Sequence, residues 1–120
     1  MNTRDIRYYD LACEIAALSD CRYKFGSVIA YRNKRISIGI NRIKTHPVFR
    51  KYGEHCISIH AEMSAILKAR CDLTGCTMYI ARDSINPHSK PCSVCMSIII
   101  ESGISRTVYH NGKRLVEERL

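Results

Sequence analysis

The stretch PCSVCMSIIIE, residues 91–101, is the part of this chain that most constrains its fold. Two cysteines, Cys92 and Cys95, follow a proline, and a strongly apolar run continues from them towards Gly103. Proline is well tolerated at a helix start, and glycine is common just past a helix end. We therefore predict a helix from Cys92 to Glu101 that is buried against a sheet.

Strands are predicted on both sides of this helix. Four short segments are rich in β-branched residues or alternate apolar with polar residues, and turn residues bound them. These segments are Phe25–Tyr31, Ile36–Ile40, Thr77–Ala81 and Arg106–Tyr109. The polar turn at residues 32–35 joins the first two into a hairpin.

Three further segments are predicted to be helical. Apolar residues recur with helical spacing from Asp5 to Leu18, a second helix runs from His60 to Ala69, and a short charged helix runs from Leu115 to Leu120. Helices that alternate with strands after a hairpin imply a mixed sheet. We therefore predict an α/β fold: a single three-layer domain over residues 1–120, with four to five strands in a central mixed sheet and helices on both faces.

Composition limits the class of protein. The chain has 120 residues, of which 46% are hydrophobic and 25% charged, and this is ordinary for one globular domain. No apolar run approaches the roughly 20 residues of a membrane span, and the N-terminus does not have the pattern of a signal peptide. Seven cysteines, an odd number, favour a reducing compartment over a disulfide scaffold. We expect a cytoplasmic protein without a membrane partner.

The chain is strongly basic. Nineteen basic residues against eleven acidic ones give a net charge of +8, which favours phosphate-bearing partners, either nucleotides or nucleic acid. The alternative is a basic surface that is only solvated. The long loop from Asn41 to Ser58 is basic and aromatic, so it could hold a phosphate or a single strand, with Phe49 and Tyr52 stacking on bases or simply packing the loop.

Four residues form a candidate chemical site. His60, Cys92 and Cys95 are potential zinc ligands at predicted helix starts, and Glu62 is a nearby carboxylate. Cysteines spaced by three residues share one helix face, and the helix N-terminus there favours the thiolate that binds metal. Three protein ligands leave a fourth zinc position open, where a bound water can become a nucleophile and Glu62 can carry its proton.

Each motif alone has other interpretations. A Cys-x-x-Cys pair could be a redox-active pair or half of a structural zinc site, and a His-Ala-Glu tripeptide is common by chance. The two motifs in this order, each opening a helix and with Pro91 in place, favour a catalytic zinc.

The chain resembles the cytidine deaminase superfamily, in its deoxycytidylate-deaminase-like branch. The similar segments are Gly39-Ile40-Asn41, His60 to Ile66, and Cys92 to Val108, with His-x-Glu and Pro-Cys-x-x-Cys as the signature. The resemblance implies a five-stranded mixed sheet covered by helices. Only eleven residues follow Tyr109, so we expect the usual last helix and fifth strand to be short, rearranged or missing.

The same resemblance implies an enzyme, a hydrolase acting on C–N bonds in cyclic amidines. It would bind one catalytic Zn²⁺ per chain through His60, Cys92 and Cys95, with Glu62 as the proton carrier. Its reaction would convert a cytosine nucleotide similar to dCMP into the uracil nucleotide and release ammonia. The candidate substrate-binding residues are Asn41, Ala61, Ser27, Arg82 and His46. Asn41 matches a family position that contacts sugar or base, and its alternative role is that of a turn residue.

Other functions stay open at this point. The chain could deaminate cytosine or adenosine in single-stranded DNA, RNA or transfer RNA, or it could be a non-catalytic zinc module that binds nucleic acid. A small-molecule nucleotide is the favoured partner, and the resemblance implies a homo-oligomer.

Overall fold

The computed structural model describes residues 1–42 and 60–120. Of the predicted basic loop, only Asn41 and Arg42 fall within these ranges, and His46, Phe49 and Tyr52 lie outside the described residues. The helices are α1 (Thr3–Ala16), α2 (Ala61–Ala69) and α3 (Ser93–Glu101), and the strands are β1 (Lys24–Tyr31), β2 (Lys34–Ile40), β3 (Thr77–Asp83), β4 (Arg106–His110) and β5 (Leu115–Arg119).

The strands form one mixed sheet in the order β2-β1-β3-β4-β5. Strands β3 and β4 are parallel, and the other neighbouring pairs are antiparallel. The parallel pair results from the crossover through α3, as the alternation of helices and strands predicted. Within the described ranges, no helix is long and apolar enough to cross a membrane.

Helices cover both faces of the sheet, which confirms the predicted three-layer α/β class. Residues of α1 such as Ala12 pack with Val28 and Tyr79 on one face. On the other face of the sheet, Ala65 of α2 and Ile99 of α3 belong to a second hydrophobic cluster. The extent of the domain, residues 1–120, stays a prediction.

The end of the chain differs from the prediction. Residues Leu115–Arg119 are strand β5, paired antiparallel with β4, and the predicted helix at Leu115–Leu120 is wrong. The turn at Asn111 explains the difference. The Asn111 carboxamide oxygen accepts from the backbone N–H groups of Lys113 and Arg114, and Gly112 has a φ of 97°, so the chain reverses into a hairpin. The fifth strand, which we expected to be short, rearranged or missing, is therefore present and short, with five residues.

Two glycines let the helices approach the β1–β2 hairpin closely. A Cβ atom at Gly26 would lie 2.5 Å from the backbone nitrogen of Ala16 in α1, and a Cβ atom at Gly39 would lie 2.5 Å from the backbone nitrogen of Ala65 in α2. Both distances are too short for any side chain. Glycine at these positions therefore sets how near each helix lies to its face of the sheet.

Helix α2 is also anchored by two buried serines of the hairpin. The hydroxyl of Ser27 donates to the carbonyl oxygen of Ala61 at 2.7 Å, and the hydroxyl of Ser37 donates to that of Ala65, also at 2.7 Å. These bonds join β1 and β2 to successive turns of the helix. The first turn of α2, which carries His60 and Glu62, is thereby fixed relative to the sheet.

Candidate metal centre and adjoining pocket

The N-termini of α2 and α3 meet. His60 is the N-cap residue of α2 and Cys92 is the N-cap residue of α3. Met63 of α2 packs with Cys95 and Ile98 of α3. This packing brings together the two motifs that are about thirty residues apart in sequence.

Three side chains at this junction could hold a metal ion. The ligand atoms of His60, Cys92 and Cys95 all lie within 4.8 Å of one another. His60 Nδ1 is 3.1 Å from Cys95 Sγ and 3.8 Å from Cys92 Sγ. Nitrogen and sulfur ligands of one tetrahedral zinc lie about 3.5 Å apart, given zinc bonds of about 2.0–2.3 Å. Two thiols and an imidazole in this arrangement therefore fit zinc.

The hydrogen bonds within this cluster favour the ionised form of one thiol, that of Cys92. The hydrogen bond from the Cys95 thiol, followed by that from His60, lowers the pKa of Cys92 to about 3. The same bond to Cys92, with burial, raises the pKa of Cys95. The hydrogen bond to Cys92 raises the pKa of His60. The two cysteines thus behave as a coupled pair that shares one proton, and a cation is needed to stabilise both thiolates together.

Glu62 lies beside this cluster on the first turn of α2. Its side chain is buried, with the residue only 6% exposed, and burial raises the pKa of its carboxyl group. It lines the same pocket as His60 and Cys92. A buried carboxyl group of this kind is suited to accept and return a proton.

The pocket has a volume of about 500 Å³, within the range of small-molecule sites. The described residues that line it come from four parts of the chain: Cys21, Arg22, Tyr23, Phe25, Asn41, His60, Ala61, Glu62, Lys90 and Cys92. The pocket therefore joins the candidate metal ligands to aromatic and basic side chains.

The predicted substrate-binding residues occupy different places. Asn41 and Ala61 line the pocket. Ser27 is fully buried, and its hydroxyl donates to Ala61. Arg82 is absent from the described lining, and its guanidinium packs 5.4 Å and 5.5 Å from the ring centroids of Tyr23 and Phe25, which do line the pocket. A substrate contact stays a prediction for each of these residues and for His46, which lies outside the described residues.

One wall of the pocket was missed by the sequence analysis. Cys21, Arg22 and Tyr23 precede β1, and Phe25 is its second residue. The aromatic and basic character of residues 22–25 was a usable signal, but no local pattern relates this segment to the motifs far along the chain. Lys90 was also missed, although it directly precedes Pro91 of the cysteine motif.

Most of this chain matches one known protein family. Residues 2–111 match the family described as the cytidine and deoxycytidylate deaminase zinc-binding region. The chain belongs to this family. Its zinc-binding character agrees with the His60, Cys92 and Cys95 donor set, so the predicted zinc cofactor is supported by both sequence family and geometry.

Individual proteins are similar to this chain in sequence or in fold. Deoxycytidylate deaminase of Mycobacterium phage D29 is 42% identical over 55 residues, which cover 45% of this chain and 38% of the phage protein. The chain thus spans well under half of that relative's length. Cytidine deaminase from Burkholderia pseudomallei superposes with a TM-score of 0.73 at 15% identity, over 99% of this chain and 93% of that one.

A second solved structure is similar to a smaller extent. The dCMP deaminase of cyanophage S-TIM5 in complex with dCMP and dUMP superposes with a TM-score of 0.65 at 18% identity, over 88% of this chain and 79% of the phage chain. At these identities the superpositions show a shared fold. They confirm the cytidine deaminase-like architecture that the sequence resemblance implied.

Proposed function

We propose that the chain is a zinc-dependent hydrolytic deaminase that converts a cytosine nucleotide similar to dCMP into the uracil nucleotide and releases ammonia. The observation that carries this proposal is the convergence of His60, Cys92 and Cys95 within 4.8 Å, with Glu62 buried beside them in one pocket. Membership of the deaminase family supports the reaction type.

In this proposal His60, Cys92 and Cys95 hold the ion. Zinc bound there would lower the pKa of an attacking water and so supply a nucleophile near neutral pH. The pocket is open beside Cys92, which is exposed, while Cys95 is buried behind it. A substrate can therefore approach the cluster from the pocket side.

Glu62 carries the protons in this reaction. Its carboxylate accepts a proton from water, and the hydroxide forms a bond with the amino-bearing carbon of cytosine. The protonated carboxyl group then donates to the ring nitrogen, which gives a neutral tetrahedral intermediate. Glu62 next moves the remaining hydroxyl proton to the amino group, the carbon–nitrogen bond breaks, and ammonia leaves. Cytosine and water are thus converted to uracil and ammonia without a redox change.

The described lining favours a phosphorylated pyrimidine. Tyr23 and Phe25 present aromatic surface that suits a flat base, and Arg22 and Lys90 are the cationic side chains of the described lining. In this proposal Asn41 contacts the sugar or base, as the family resemblance implied, and the phosphate lies near Arg22 or Lys90. Arg82 supports the two aromatic rings through its cation–π contacts.

A deamination panel tests the proposal. Zinc-loaded protein is incubated with cytidine, deoxycytidine, their mono- and triphosphates, cytosine-containing single-stranded DNA and RNA, and an adenosine-bearing transfer-RNA stem-loop. Deamination is read as a mass change. We expect turnover of a free cytosine monophosphate, faster than that of the corresponding nucleoside.

The variant Glu62→Gln is the matched control because it keeps the size and polarity of the side chain. We expect it to retain zinc and fold while turnover falls by at least about 10²-fold, the size typical of a lost proton carrier. Unchanged turnover by Glu62→Gln would refute the assigned role. Turnover of polymers alone would instead favour nucleic-acid editing, and no turnover with intact zinc would favour a non-catalytic zinc module.

We propose further that the protein forms a homo-oligomer and acts in the cytoplasm. The resemblance to the deaminase superfamily supports assembly, and exposed apolar side chains at Leu18, Ile85 and Ile100 offer surface for contacts. Light scattering on the eluting species should give a mass that is a multiple of 13.7 kDa. A species of 13.7 kDa alone would refute the assembly.

A further inference from the structure

The carboxamide of Asn41 is hydrogen-bonded at both ends. Its oxygen accepts from the backbone N–H of Phe25 at 3.0 Å and from the hydroxyl of Ser19 at 2.6 Å. Its nitrogen donates to the backbone carbonyl of Tyr23 at 2.5 Å. Asn41 and Ser19 are 8% and 3% exposed, so these bonds form away from bulk water. We call Asn41 and these three partners the Asn41 network.

The orientation of the carboxamide follows from the chemistry of its partners. The backbone N–H of Phe25 can only donate and the carbonyl of Tyr23 can only accept, so the Asn41 oxygen must face the first and its nitrogen the second. The Ser19 hydroxyl then has to donate to the Asn41 oxygen. The same hydroxyl oxygen accepts from the backbone N–H of Cys21 at 3.2 Å.

Ser19 therefore joins two parts of the pocket. It follows α1 in a segment that continues into Cys21 and Tyr23 of the pocket wall, whereas Asn41 directly follows β2. The backbone N–H of Asn41 also donates to the carbonyl of Phe25 at 3.3 Å. The side chain of a turn residue usually bonds within its own turn. The side chain of Asn41 instead bonds to Ser19, Tyr23 and Phe25, which are distant from it in sequence.

We propose that Ser19 is a positioning residue for substrate binding, which acts by holding the Asn41 carboxamide with its N–H₂ group directed along the pocket wall. One N–H of this group bonds to Tyr23, and the other is the donor for an oxygen or nitrogen of the substrate. This inference rests on the proposed function, because it assigns Ser19 to the site where the cytosine nucleotide binds. Without the Ser19 hydroxyl, the carboxamide oxygen loses the shorter of its two hydrogen bonds, and only the bonds to Phe25 and Tyr23 still hold the group, so its position is less sharply fixed.

A double-mutant cycle tests the inference. The variants are Ser19→Ala, Asn41→Ala and the double variant, assayed with the cytosine substrate that the unmodified chain turns over best. We expect Ser19→Ala to raise KM roughly five- to tenfold with kcat changed less than about threefold, because the lost contact involves a part of the substrate that does not react. In the Asn41→Ala background, Ser19→Ala should have no further effect on KM, since its effect passes through Asn41.

The matched control is Ser102→Ala. The Ser102 hydroxyl donates to the carbonyl of Ile99 at 2.6 Å, so this variant also removes a short serine hydrogen bond. It lies at the far end of α3, roughly 15 Å along the helix from Cys92 at about 1.5 Å per residue. We expect it to leave KM unchanged. Equal increases in KM for the two variants, or additive effects of Ser19→Ala and Asn41→Ala, would overturn the proposal.

A second measurement does not depend on turnover. The Asn41 side-chain N–H proton that bonds to Tyr23 should give a slowly exchanging signal in nitrogen-15 correlated NMR spectra of the unmodified chain and of Ser102→Ala. Ser19→Ala should increase the exchange rate of this proton. A rapidly exchanging Asn41 amide in the unmodified chain would overturn this inference by itself, whereas absence of all deamination with a protected amide would overturn the proposed function.

Discussion

Gly39 of β2 is in direct backbone contact with Ala61, the first residue of α2. A Cβ atom at Gly39 would fall well inside contact distance of the Ala61 carbonyl oxygen. Ala61 lies between His60 and Glu62, and its carbonyl also accepts the hydrogen bond from Ser27. The positions of the candidate ligand His60 and of the proposed proton carrier Glu62 are therefore set by the absence of a side chain on a neighbouring strand.

Gly39→Ala should weaken zinc binding. The added methyl group forces α2 away from the sheet, which costs about 1–3 kcal/mol in the free energy of unfolding and moves His60 relative to the two cysteines. We expect zinc affinity to fall at least about tenfold, because ligand geometry is sensitive to displacements of a few tenths of an ångström. Competition with a chromophoric chelator, at temperatures where the variant is fully folded, measures this change.

The control for this variant is Gly26→Ala. A Cβ atom at Gly26 would approach the backbone of α1 as closely as one at Gly39 approaches α2, but on the opposite face of the sheet. Its effect on the free energy of unfolding should be similar, while zinc affinity should stay close to that of the unmodified chain. An equal loss of zinc affinity in the two variants would show that general destabilisation, rather than the contact with Ala61, explains the result.

Removal of zinc should destabilise the fold around the helix N-termini. Each of Cys92→Ser and Cys95→Ser removes one of the three proposed zinc ligands, so we expect the bound zinc to fall from one ion per chain to near zero. The melting temperature of the unmodified chain should fall on chelation, because zinc that binds only the folded state adds its binding free energy to stability. Metal analysis and thermal unfolding measure the two quantities.

Cys71→Ser provides the comparison for these ligand variants. Cys71 is an exposed free cysteine and is not a member of the His60, Cys92 and Cys95 group. The Cys71→Ser variant should retain one zinc per chain. Its melting temperature should fall on chelation by the same amount as that of the unmodified chain. Full zinc occupancy in Cys92→Ser and Cys95→Ser would contradict the assignment of these two thiols as ligands.

The parts of the fold that sequence predicted best are those with strong local periodicity. The apolar run after Cys95 favours a buried helix, and the alternation at Ile36–Ile40 favours a strand with one buried face. Both elements lie where they were expected. The convergence of the two motifs that carry the candidate metal ligands was also expected, because each motif opens a helix and so has a fixed local geometry.

The parts that were not predicted depend on contacts distant in sequence. Residues 115–119 carry charges that suit an exposed helix or an edge strand equally well, and pairing with β4 decides between them. The Asn41 network could not be foreseen because its members become neighbours only when β1 lies between α1 and β2. Arg82 was predicted only as a candidate substrate-binding residue, and its packing against Tyr23 and Phe25 depends on the register of β1 and β3.

A buried ion pair fixes α1 to the far side of the sheet. The Asp5 carboxylate accepts two hydrogen bonds from the Arg106 guanidinium, at 2.7 Å and 3.0 Å, and one from the Tyr79 hydroxyl at 2.7 Å. Asp5 is only 2% exposed, and Arg106 is paired also with Glu117 at 2.6 Å. Asp5→Asn should lower the free energy of unfolding by about 3 kcal/mol, because it leaves part of a buried charged network unpaired.

The contribution of Asp5 should also depend on pH in a defined direction. The hydrogen bonds from Arg106 are the main cause that lowers the pKa of Asp5 from 3.8 to about 2. The ionised carboxylate therefore contributes roughly 2 kcal/mol that is fully present above the unfolded-state pKa of 3.8 and is lost as pH falls towards 2. The difference in unfolding free energy between the unmodified chain and Asp5→Asn should accordingly be constant from pH 7 to about pH 5 and shrink between pH 4 and pH 2.

Denaturant unfolding of both proteins across this range measures the difference, and taking the difference cancels the loss of zinc that both share at low pH. Asp20→Asn, which removes an exposed carboxylate outside this network, is the control variant. A difference for Asp5→Asn that stays constant down to pH 2 would mean that the ionised carboxylate is no more stabilised in the folded chain than in the unfolded one.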